Sequence, residues 1–463
     1  MELIRRISGI RGLVGKTLND EVVYNHSKSF SQIQPDGPIL IAQDTRSHGS
    51  HFSKISINAI LETGRDVYNY QIIPTPTAQF IVSKNNYAGA IVITASHNPI
   101  EWNGMKFINS DGCFLNEQQN NLLFNQADNL VNDTKNLIGK LTTINDGFIE
   151  HIQHTVDLSI INKNQIKRKK LKVVVDAVNG AASYAIPKLL TLLNCNVIPL
   201  FCSPDGKFPH SPEPLNKNLK SLCTSVIVNK ADLGIAIDPD GDRLAIIDDK
   251  GKPLGEENTL VIASDNVLSN GLSTKIVSNL STTMGLDTIA SKYNVEVIRS
   301  KVGEINVVEK MKEVNSKFGG EGNGGIILKE SHLGRDAIVG TAIILDWLSK
   351  KNGKLSELRL SLPDFSIIKD KINLEDINPD QALKILSSNF NDATKDKTDG
   401  LKLIWEDKWI HIRKSNTEPI LRIYSESKNI SDAKNLIDNV KKYFYWNLLI
   451  FFSLNLLNNV FNK

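Results

Sequence analysis

The chain has 463 residues, 41% of them hydrophobic, and this length exceeds what one hydrophobic core usually organises. We therefore expect several domains and exclude a single small module. The 54 basic and 51 acidic residues give a formal net charge of +3, which offers no chain-wide electrostatic reason to bind nucleic acid or anionic lipid. A small molecule is the expected partner.

The cysteines and the first residues favour a reducing cytoplasm. Cys113, Cys195, Cys202 and Cys223 show no CxxC spacing, the pattern of many zinc and redox sites. The opening MELIRRISGIRG contains no apolar run of signal-peptide length. We therefore predict a cytoplasmic location.

Strands and helices alternate from residue 38 onward. The pattern predicts strands at 38–44 (PILIAQD), 65–70 (RDVYNY) and 89–94 (GAIVIT), and a helix at 53–64 that ends at Gly64. Apolar runs that alternate with helical stretches are typical of a mostly parallel sheet covered on both faces.

The same cycle then returns twice. Its second copy comprises the strands 171–180, 195–201 and 233–238 and helices at 181–193 and near 219–228. Its third copy begins with a helix after Glu257 and comprises the strands 275–280, 295–300 and 324–328, with a helix through Val307 and Met311. Three units of about a hundred residues each predict triplication of one α/β module.

The remaining segment, from about Leu362, is more charged and lacks this cycle. Its stretch 401–427 predicts two or three strands around a polar loop. We therefore expect an α/β fold with three similar mixed-sheet domains in series, a smaller α+β domain at the C-terminus and the active site in the central cleft, since clefts between domains favour ligands. The predicted domains are 1–147, 148–250, 251–362 and 363–445, followed by an apolar tail at 446–463.

A basic run at 167–170 adjoins the strand of the second module. Aromatic residues that could stack on bases do not alternate with these charges. We interpret the run as a solvated linker and strand entry at a domain boundary, in preference to a polyanion site.

The C-terminal stretch 443–461 (YFYWNLLIFFSLNLLNNVF) is apolar over nearly the length of a membrane span. Asn447, Asn455, Asn458 and Asn459 interrupt it. We expect a terminal helix or extension packed on the last domain, with membrane contact as the alternative.

The segment 89–99 ends an apolar strand with Ser96 and His97, just before Pro99. One interpretation is the start of a helix, in which Asn98 caps the backbone and Pro99 occupies the first turn. The other interpretation is that the strand end positions the Ser96 hydroxyl for catalysis, and these residues alone do not decide between the two.

Three carboxylates alternate in the segment 234–247 (GIAIDPDGDRLAII). Asp238, Asp240 and Asp242 lie on a short loop between two apolar strands, where they would repel one another without a cation. Oxygen ligands favour Mg²⁺ or Ca²⁺ over zinc. An EF-hand is excluded, because Arg243 stands where that loop needs glycine.

A polar turn in 411–427 (HIRKSNTEPILRIYSES) carries groups that suit phosphate. They are Arg413, Ser415, Asn416, Thr417 and Arg422. Guanidinium forks and hydroxyls bind phosphate oxygens well, although a polar hairpin turn with surface arginines is the plainer alternative.

The glycine-rich segment 318–328 (FGGEGNGGIIL) surrounds Glu321 and Asn323. A carboxylate and an amide can together bond vicinal sugar hydroxyls, and glycine lets backbone approach a ligand closely. Arg11 and Arg46 share the first domain with Ser96, where either could be a surface residue.

Each predicted domain contributes one motif: the serine at the strand end, the carboxylate trio, the glycine-rich loop suited to sugar hydroxyls, and the turn suited to phosphate. Together these motifs indicate phosphoryl transfer on a phosphosugar. The motifs TASHNP, DPDGDR, GGEGNGG and RKSNTEP resemble the four signature loops of the α-D-phosphohexomutases, in the same order and over some 440 residues. That family includes phosphoglucomutases, phosphomannomutases and phosphoglucosamine mutases.

The resemblance implies a role for each matching residue. Mg²⁺ would be held by Ser96, Asp238, Asp240 and Asp242, with Ser96 phosphorylated. The residues around the reacting phosphoryl group would be Arg11, His97, Lys106 and Arg243, and either His97 or Lys106 would carry the hydroxyl proton. Glu321 and Asn323 would bind sugar hydroxyls, and the phosphate loop would hold the phosphate that does not react. A sugar bisphosphate would serve as intermediate and activator.

The chain departs from the family pattern after Glu321. Many members have Ser-Gly-His there, whereas residues 322–325 are Gly-Asn-Gly-Gly, so any role of that histidine is in doubt. We expect glucosamine 6-phosphate as substrate, with glucose or mannose phosphate as the alternative. Two other classes stay open: a phosphatase with Asp238 as nucleophile, and a phosphosugar-binding protein without turnover.

Overall fold

A computed structural model describes residues 2–130, 138–374, 378–414 and 420–444 of the chain. These residues form four sheets, one for each domain. The sheets of the first three domains combine parallel and antiparallel strands, and the fourth is antiparallel throughout.

The first sheet has seven strands in the order β1-β2-β6-β5-β3-β4-β7. The strands are β1 (Ile4–Arg6), β2 (Gly9–Leu13), β3 (Ile39–Gln43), β4 (Val67–Ile72), β5 (Gly89–Ile93), β6 (Trp102–Asn109) and β7 (Leu141–Thr143). Its helices are α1 (Asp20–Ile33), α2 (Gly49–Leu61), α3 (Thr75–Asn85) and α4 (Glu117–Asp128).

The second and third sheets have four strands each. The second domain contains α5 (Phe148–Val156), α6 (Lys163–Lys169), β8 (Lys172–Asp176), α7 (Ala185–Leu192), β9 (Asn196–Leu200), α8 (Lys220–Asn229), β10 (Leu233–Ile237) and β11 (Leu244–Asp248). The third contains α9 (Glu256–Ser269), β12 (Ile276–Asn279), α10 (Gly285–Lys292), β13 (Val297–Ser300), α11 (Glu304–Glu313), β14 (Phe318–Glu321), β15 (Gly325–Leu328), α12 (Ala337–Lys350) and α13 (Leu355–Leu358).

One four-stranded pattern occurs in all three sheets, as β3 to β6, β8 to β11 and β12 to β15. In each, the first strand lies parallel to the second and third, and the fourth returns antiparallel to the third. The predicted series of similar mixed-sheet α/β modules is therefore confirmed. The loop that follows the third strand of each module carries one of the predicted motifs: Ser96 with His97, the aspartate trio, and Asn323.

The fourth domain is α+β, as predicted. Its sheet contains β16 (Ser366–Asn373), β17 (Thr394–Asp396), β18 (Leu401–Ile404), β19 (Lys408–Lys414) and β20 (Ile420–Ser427), in the order β16-β20-β19-β18-β17. The helix α14 (Pro379–Asn389) belongs to it, and residues 430–444 are also helical.

A continuous apolar core joins the first three domains. Every residue of α12 from Ala337 to Ser349 is buried, and this helix packs against α5, α6, α7 and α9. Because apolar side chains surround the helix, the sequence of α12 shows no polar face. The three domains therefore share one packed base from which their loops project.

Three local predictions need correction, and one helix was not predicted. The helix start at Pro99 is wrong, because the chain turns there and enters β6. The basic run at 167–170 ends the helix α6 and is not a linker. The helix predicted at 181–193 divides into a 3₁₀ turn (Ala181–Ser183) and α7. The sequence also did not reveal α3, whose residues 75–82 are all buried.

No helix in the described ranges is long and apolar enough to cross a membrane. The predicted tail at 446–463 lies outside the described residues, so its packing stays a prediction.

Candidate active site

Ser96 stands at the end of β5, in a conformation that few residues other than glycine adopt. Its φ is +50°, and its backbone N–H donates to Thr94 Oγ1 at 2.9 Å. The side chain is buried, and its Oγ donates to Asp238 Oδ2 at 3.1 Å. The presented serine of the first domain thus lies against the carboxylates of the second.

The three aspartates of the second domain converge as predicted. One carboxylate oxygen from each of Asp238, Asp240 and Asp242 lies within 4.8 Å of the other two, and all three residues are buried. Burial and the two neighbouring acids raise the pKa of Asp238 well above its usual value. One oxygen of Asp240 and one of Asp242 have no hydrogen-bond partner among the described residues.

This arrangement suits a divalent cation. Buried carboxylate oxygens without partners carry a desolvation cost that a cation would offset. An oxygen-only donor set is the kind that Mg²⁺ and Ca²⁺ prefer. The trio could therefore bind a metal ion next to Ser96.

In a second cluster, formed by His151, His332 and Asp336, both carboxylate oxygens have partners within the described protein, whereas His332 Nδ1 is buried without one. The Nε2 atoms of both histidines lie 3.0 Å from Asp336 Oδ2. The other carboxylate oxygen accepts the N–H groups of Ile338 and Val339 and so caps α12. These contacts tie the second and third domains together.

Lys106, in the middle of β6, supplies a positive charge to the trio. Its Nζ donates to Asp240 Oδ2 at 2.5 Å and to Asp242 Oδ2 at 3.0 Å. Burial acts to lower the pKa of Lys106, but the two carboxylates outweigh it and raise that pKa. The ammonium is therefore protonated at neutral pH, and it partly neutralises the trio.

His97, unlike Lys106, has a lowered pKa. Its Nδ1 lies 3.3 Å from Ser96 Oγ. Burial, followed by the nearby guanidinium groups of Arg243 and Arg11, holds the pKa of His97 well below its usual value. The imidazole is therefore neutral at neutral pH and able to accept a proton.

The two arginines beside His97 are held by polar partners from the first two domains. Arg11 donates to Asn98 Oδ1 at 2.8 Å, and Arg243 donates to Glu213 Oε1 at 3.0 Å. The Nε of Arg243 is buried without a hydrogen-bond partner in the described part of the chain. Both guanidinium groups could thus meet an anion at Ser96.

Glu321 is fixed at the end of β14. Its Oε1 accepts from the Asn279 side chain at 2.7 Å and from Gly303 N–H at 2.9 Å. Asn323 has its Oδ1 turned back onto Gly325 N–H at 3.2 Å. The carboxylate and the amide therefore stand on one short loop, where a sugar could meet both.

The sequence interpretation missed Arg335, which lies at the centre of the site. Its guanidinium donates to Asp242 at 2.7 Å and to Glu304 and Glu321 at 2.9 Å each. A Cβ added to Gly325 would come within 2.2 Å of the Arg335 side chain. Gly325 thus leaves space for the methylene groups of the Arg335 side chain, and the glycine run that lacks the family's histidine was only an indirect sign of it.

The phosphate-binding prediction falls in the fourth domain. Arg413 on β19 lies directly opposite Arg422 on β20, which in turn lies opposite Lys371 on β16. Neither arginine forms an ion pair with a described acid. Ser415, Asn416 and Thr417 lie outside the described residues, so their part in the site stays a prediction.

A row of three like charges across neighbouring strands destabilises a sheet unless an anion offsets it. Lys371, which the sequence interpretation also missed, extends the pair of predicted arginines to three cations. The first three domains thus contribute one connected set of charged groups, and the fourth contributes a separate cationic row.

Comparison with known families agrees with this architecture. Four family models match in succession, described as phosphoglucomutase/phosphomannomutase alpha/beta/alpha domains I, II and III and the C-terminal domain, over residues 2–133, 146–251, 255–365 and 373–442. Together they span most of the chain.

Relatives from archaea match nearly their whole length. A phosphoglucomutase/phosphomannomutase of Thermococcus kodakarensis is 35% identical, with 93% of this chain and 96% of the relative covered. A phosphoglucosamine/phosphogalactosamine mutase of Sulfurisphaera tokodaii is 32% identical, with 94% and 97% covered. A probable phosphoglucosamine mutase of Methanopyrus kandleri is 30% identical, with 93% and 95% covered.

A solved structure shares the fold. The crystal structure of a phosphoglucomutase/phosphomannomutase family protein from Burkholderia thailandensis superposes with a TM-score of 0.83 at 25% identity, covering 94% of this chain and 95% of that one. The chain therefore belongs to the phosphoglucomutase/phosphomannomutase family of α-D-phosphohexomutases, isomerases that transfer phosphate intramolecularly.

Proposed function

We propose that the enzyme interconverts the 6-phosphate and 1-phosphate of a sugar by way of phosphorylated Ser96 and a sugar bisphosphate. The contact of Ser96 Oγ with Asp238 Oδ2 at 3.1 Å carries this proposal. It places a hydroxyl of the first domain against a buried carboxylate trio of the second.

The charge of the trio explains why Ser96 lies there. A phosphoserine carries a charge of roughly −1.5 to −2 at neutral pH. Next to three carboxylates, this charge requires a cation, and Asp238, Asp240 and Asp242 would hold Mg²⁺ together with an oxygen of the phosphorylated Ser96. When bound, the ion would neutralise charge on the phosphoryl group.

The transfer itself needs position and charge more than covalent chemistry. A hydroxyl oxygen of the sugar phosphate bonds to phosphorus while the bond from phosphorus to Ser96 Oγ breaks, which gives the bisphosphate. After reorientation, the other phosphoryl group returns to Ser96 Oγ, and the isomeric sugar phosphate leaves. Lys106, Arg11 and Arg243 would stabilise the negative charge on the reacting group.

His97 is the favoured proton carrier of the two candidates. A neutral imidazole can accept the proton of the attacking sugar hydroxyl, and burial, together with the guanidinium groups of Arg243 and Arg11, lowers the pKa of His97 and keeps it neutral. Lys106 is already protonated beside Asp240 and Asp242, so its role would be electrostatic.

The other two loops would hold the sugar. Glu321 and Asn323 would bind its hydroxyl groups. Arg413 and Arg422, with Ser415, Asn416 and Thr417, would hold the phosphate that is not reacting, in either orientation of the sugar. Arg413 and Arg422 form no ion pair with an acid that the structure describes, which supports this assignment.

We propose glucosamine 6-phosphate as the substrate. Several relatives at 30–32% identity are named phosphoglucosamine mutases. The relative at 35% identity is named phosphoglucomutase/phosphomannomutase, which makes glucose or mannose phosphate the second candidate.

The mass of the intact protein tests the phosphoryl carrier. After incubation with Mg²⁺ and a sugar bisphosphate, the chain should gain one phosphate that maps to Ser96, and Ser96→Ala should gain none and lose turnover. Phosphate on Asp238 would instead support a phosphatase, and a protein without turnover in either form would be a binding protein.

A substrate panel then tests the sugar. The phosphorylated enzyme, supplied with Mg²⁺, is assayed with glucosamine, glucose and mannose 6-phosphates. We expect the highest kcat/KM for glucosamine 6-phosphate. Turnover of the two hexose phosphates alone would contradict that preference and leave the mutase reaction intact.

A further inference from the structure

Arg46, in the loop after β3, is a buried arginine that the mechanism above does not use. Its side chain has no solvent-exposed area. A charged guanidinium is rarely buried unless hydrogen bonds satisfy it. Its partners therefore indicate what it does.

All five N–H donors of this guanidinium have acceptors. One is the carboxylate of Asp44, at 3.1 Å from Nε. The other four are backbone carbonyl oxygens of the loop that carries the serine: Ser96 at 2.7 Å, Asn98 at 2.6 Å, Pro99 at 2.7 Å and Trp102 at 3.0 Å. Arg46 thus binds the backbone of residues 96–102 from inside the domain.

Asp44 and Thr94 extend this contact to the amide of Ser96. Thr94 Oγ1 donates to Asp44 Oδ2 at 2.6 Å and accepts from Ser96 N–H at 2.9 Å. Both the amide and the carbonyl of Ser96 are therefore held by this network. This matters because the φ of Ser96, +50°, is unfavourable for a residue with a side chain.

The second domain covers Arg46 from the other side. The ring of Phe208 lies 5.0 Å from the guanidinium carbon, within the range of a cation–π contact. Thr45 Oγ1 donates to the carbonyl oxygen of Asn179 at 2.8 Å. The contact therefore sits where the domain of the serine meets the domain of the aspartates.

We propose that Arg46 is a positioning residue for phosphoryl transfer. By binding four carbonyl oxygens of the loop at 96–102, it fixes Ser96 Oγ against Asp238. The same hydrogen bonds turn the negative ends of these carbonyl groups toward Arg46 and away from the phosphoryl group. The inference rests on the proposed role of Ser96. A misplacement of about 1 Å can cost about 100-fold in rate.

Arg46→Lys tests this proposal. Lysine keeps the charge, but its compact ammonium has three donors and cannot bind four carbonyls in the geometry of a planar guanidinium. The protein is first phosphorylated and then mixed with sugar phosphate, and loss of the phosphate is followed by intact mass in a single turnover. We expect transfer to slow by about 100-fold while KM stays within about threefold of the original value.

Arg65→Lys is the matched control. The guanidinium of Arg65 also donates to three backbone carbonyls of the first domain, those of Gln34, Pro35 and Gly37, none of which belongs to the serine loop. Arg65→Lys should lower thermal stability without slowing transfer. This comparison separates positioning of Ser96 from the general loss of an arginine that binds carbonyls.

If Arg46→Lys does not fold, Phe208→Leu, which removes the ring that covers Arg46, is tested instead. We expect this substitution to slow transfer by about three- to tenfold. The proposal is wrong if the folded Arg46→Lys protein, or in its place Phe208→Leu, transfers phosphate at the original rate. It is also wrong if Arg46→Lys and Arg65→Lys slow transfer equally. An unsubstituted protein that takes no phosphate on Ser96 would instead overturn the proposed function.

Discussion

Arg335 shows how one residue can join charged groups of two domains. Its guanidinium contacts Asp242 of the trio and Glu321 at the end of β14, together with Glu304 at the start of α11. Burial acts to lower the pKa of Arg335, but the three carboxylates raise it well above the usual value. Without this residue, negative charges from both domains would be buried side by side.

Arg335→Met tests this role. Removing one partner from a buried ion-pair network typically costs about 3–5 kcal/mol, because the remaining charges lose their compensation. We expect that loss in the free energy of unfolding, together with loss of turnover. Arg5→Met is the control: Arg5 pairs with Asp128 at the surface, so we expect less than about 1 kcal/mol. Similar losses in both proteins would contradict the network.

At the scale of single residues, the sequence could reveal motifs but not the contacts between distant segments. Ser96 and the three aspartates stand in recognisable local patterns, and the structure brings them together. Neither Arg335 nor Arg46 lies in a sequence motif that indicates a catalytic or binding role. Their role depends on which carboxylates and carbonyls surround them, which only tertiary packing determines.

At the scale of elements, the repeated module explains where the site lies. In each of the three copies, the functional loop follows the third strand, whose carboxyl end lies next to those of the parallel strands. Ligands commonly bind at that edge of α/β sheets. The three copies of the module therefore place three equivalent loops at this edge, one with Ser96, one with the aspartate trio and one with Asn323.

The sequence predicted these modules because their strands are short apolar runs bounded by turn residues. It did not reveal α3, because both faces of that helix are covered and its apolar residues show little periodicity. It suggested a helix start at Asn98 and Pro99, where local preferences favour one, although tertiary pairing makes a strand of the residues that follow.

The cationic row of the fourth sheet should destabilise that sheet while it provides a binding site for phosphate. Lys371, Arg422 and Arg413 lie directly opposite one another on three neighbouring strands. Like charges in such positions destabilise a sheet by roughly 0.2–1 kcal/mol per pair. Without phosphate, the sheet would therefore gain stability from the loss of one charge.

Arg422→Met should accordingly raise the free energy of unfolding by up to about 1 kcal/mol and raise KM for the sugar phosphate by about 10- to 100-fold. Denaturant unfolding and steady-state kinetics measure the two effects. Lys395→Met, on β17 at the edge of the same sheet, should change neither. A variant that binds substrate as before, whatever its stability, would show that this row does not hold phosphate.

At the scale of the whole molecule, the fourth domain packs on the third through buried polar groups. His411 Nδ1 lies 2.8 Å from Ser281 Oγ, and its Nε2 lies 2.6 Å from the carbonyl oxygen of Asp399. Lys402 Nζ donates to the carbonyl oxygen of Leu280 at 2.7 Å. Because Nε2 of His411 faces a carbonyl oxygen, Nδ1 accepts from Ser281 Oγ in the neutral imidazole, and a proton added to Nδ1 would remove this acceptor.

The pKa of His411 makes this interface sensitive to acid. Burial, with a smaller effect of the Lys402 charge, lowers that pKa to about 4. The unfolded chain, with an ordinary histidine, takes up a proton as pH falls below about 6.5, whereas the folded interface does not until about pH 4. His411 therefore contributes stability above pH 6.5 that is lost as pH falls from 6.5 to 4.

Each pH unit in that window costs about 1.4 kcal/mol. We expect the free energy that protects the backbone amides of β18 and β19 from hydrogen exchange to fall by about 2 kcal/mol between pH 6.5 and pH 5, once intrinsic exchange rates are corrected for pH. His411→Asn, which cannot titrate, should lose less over the same range even if it is less stable at pH 7. Equal losses in the two proteins would mean that other groups carry the acid sensitivity of the interface.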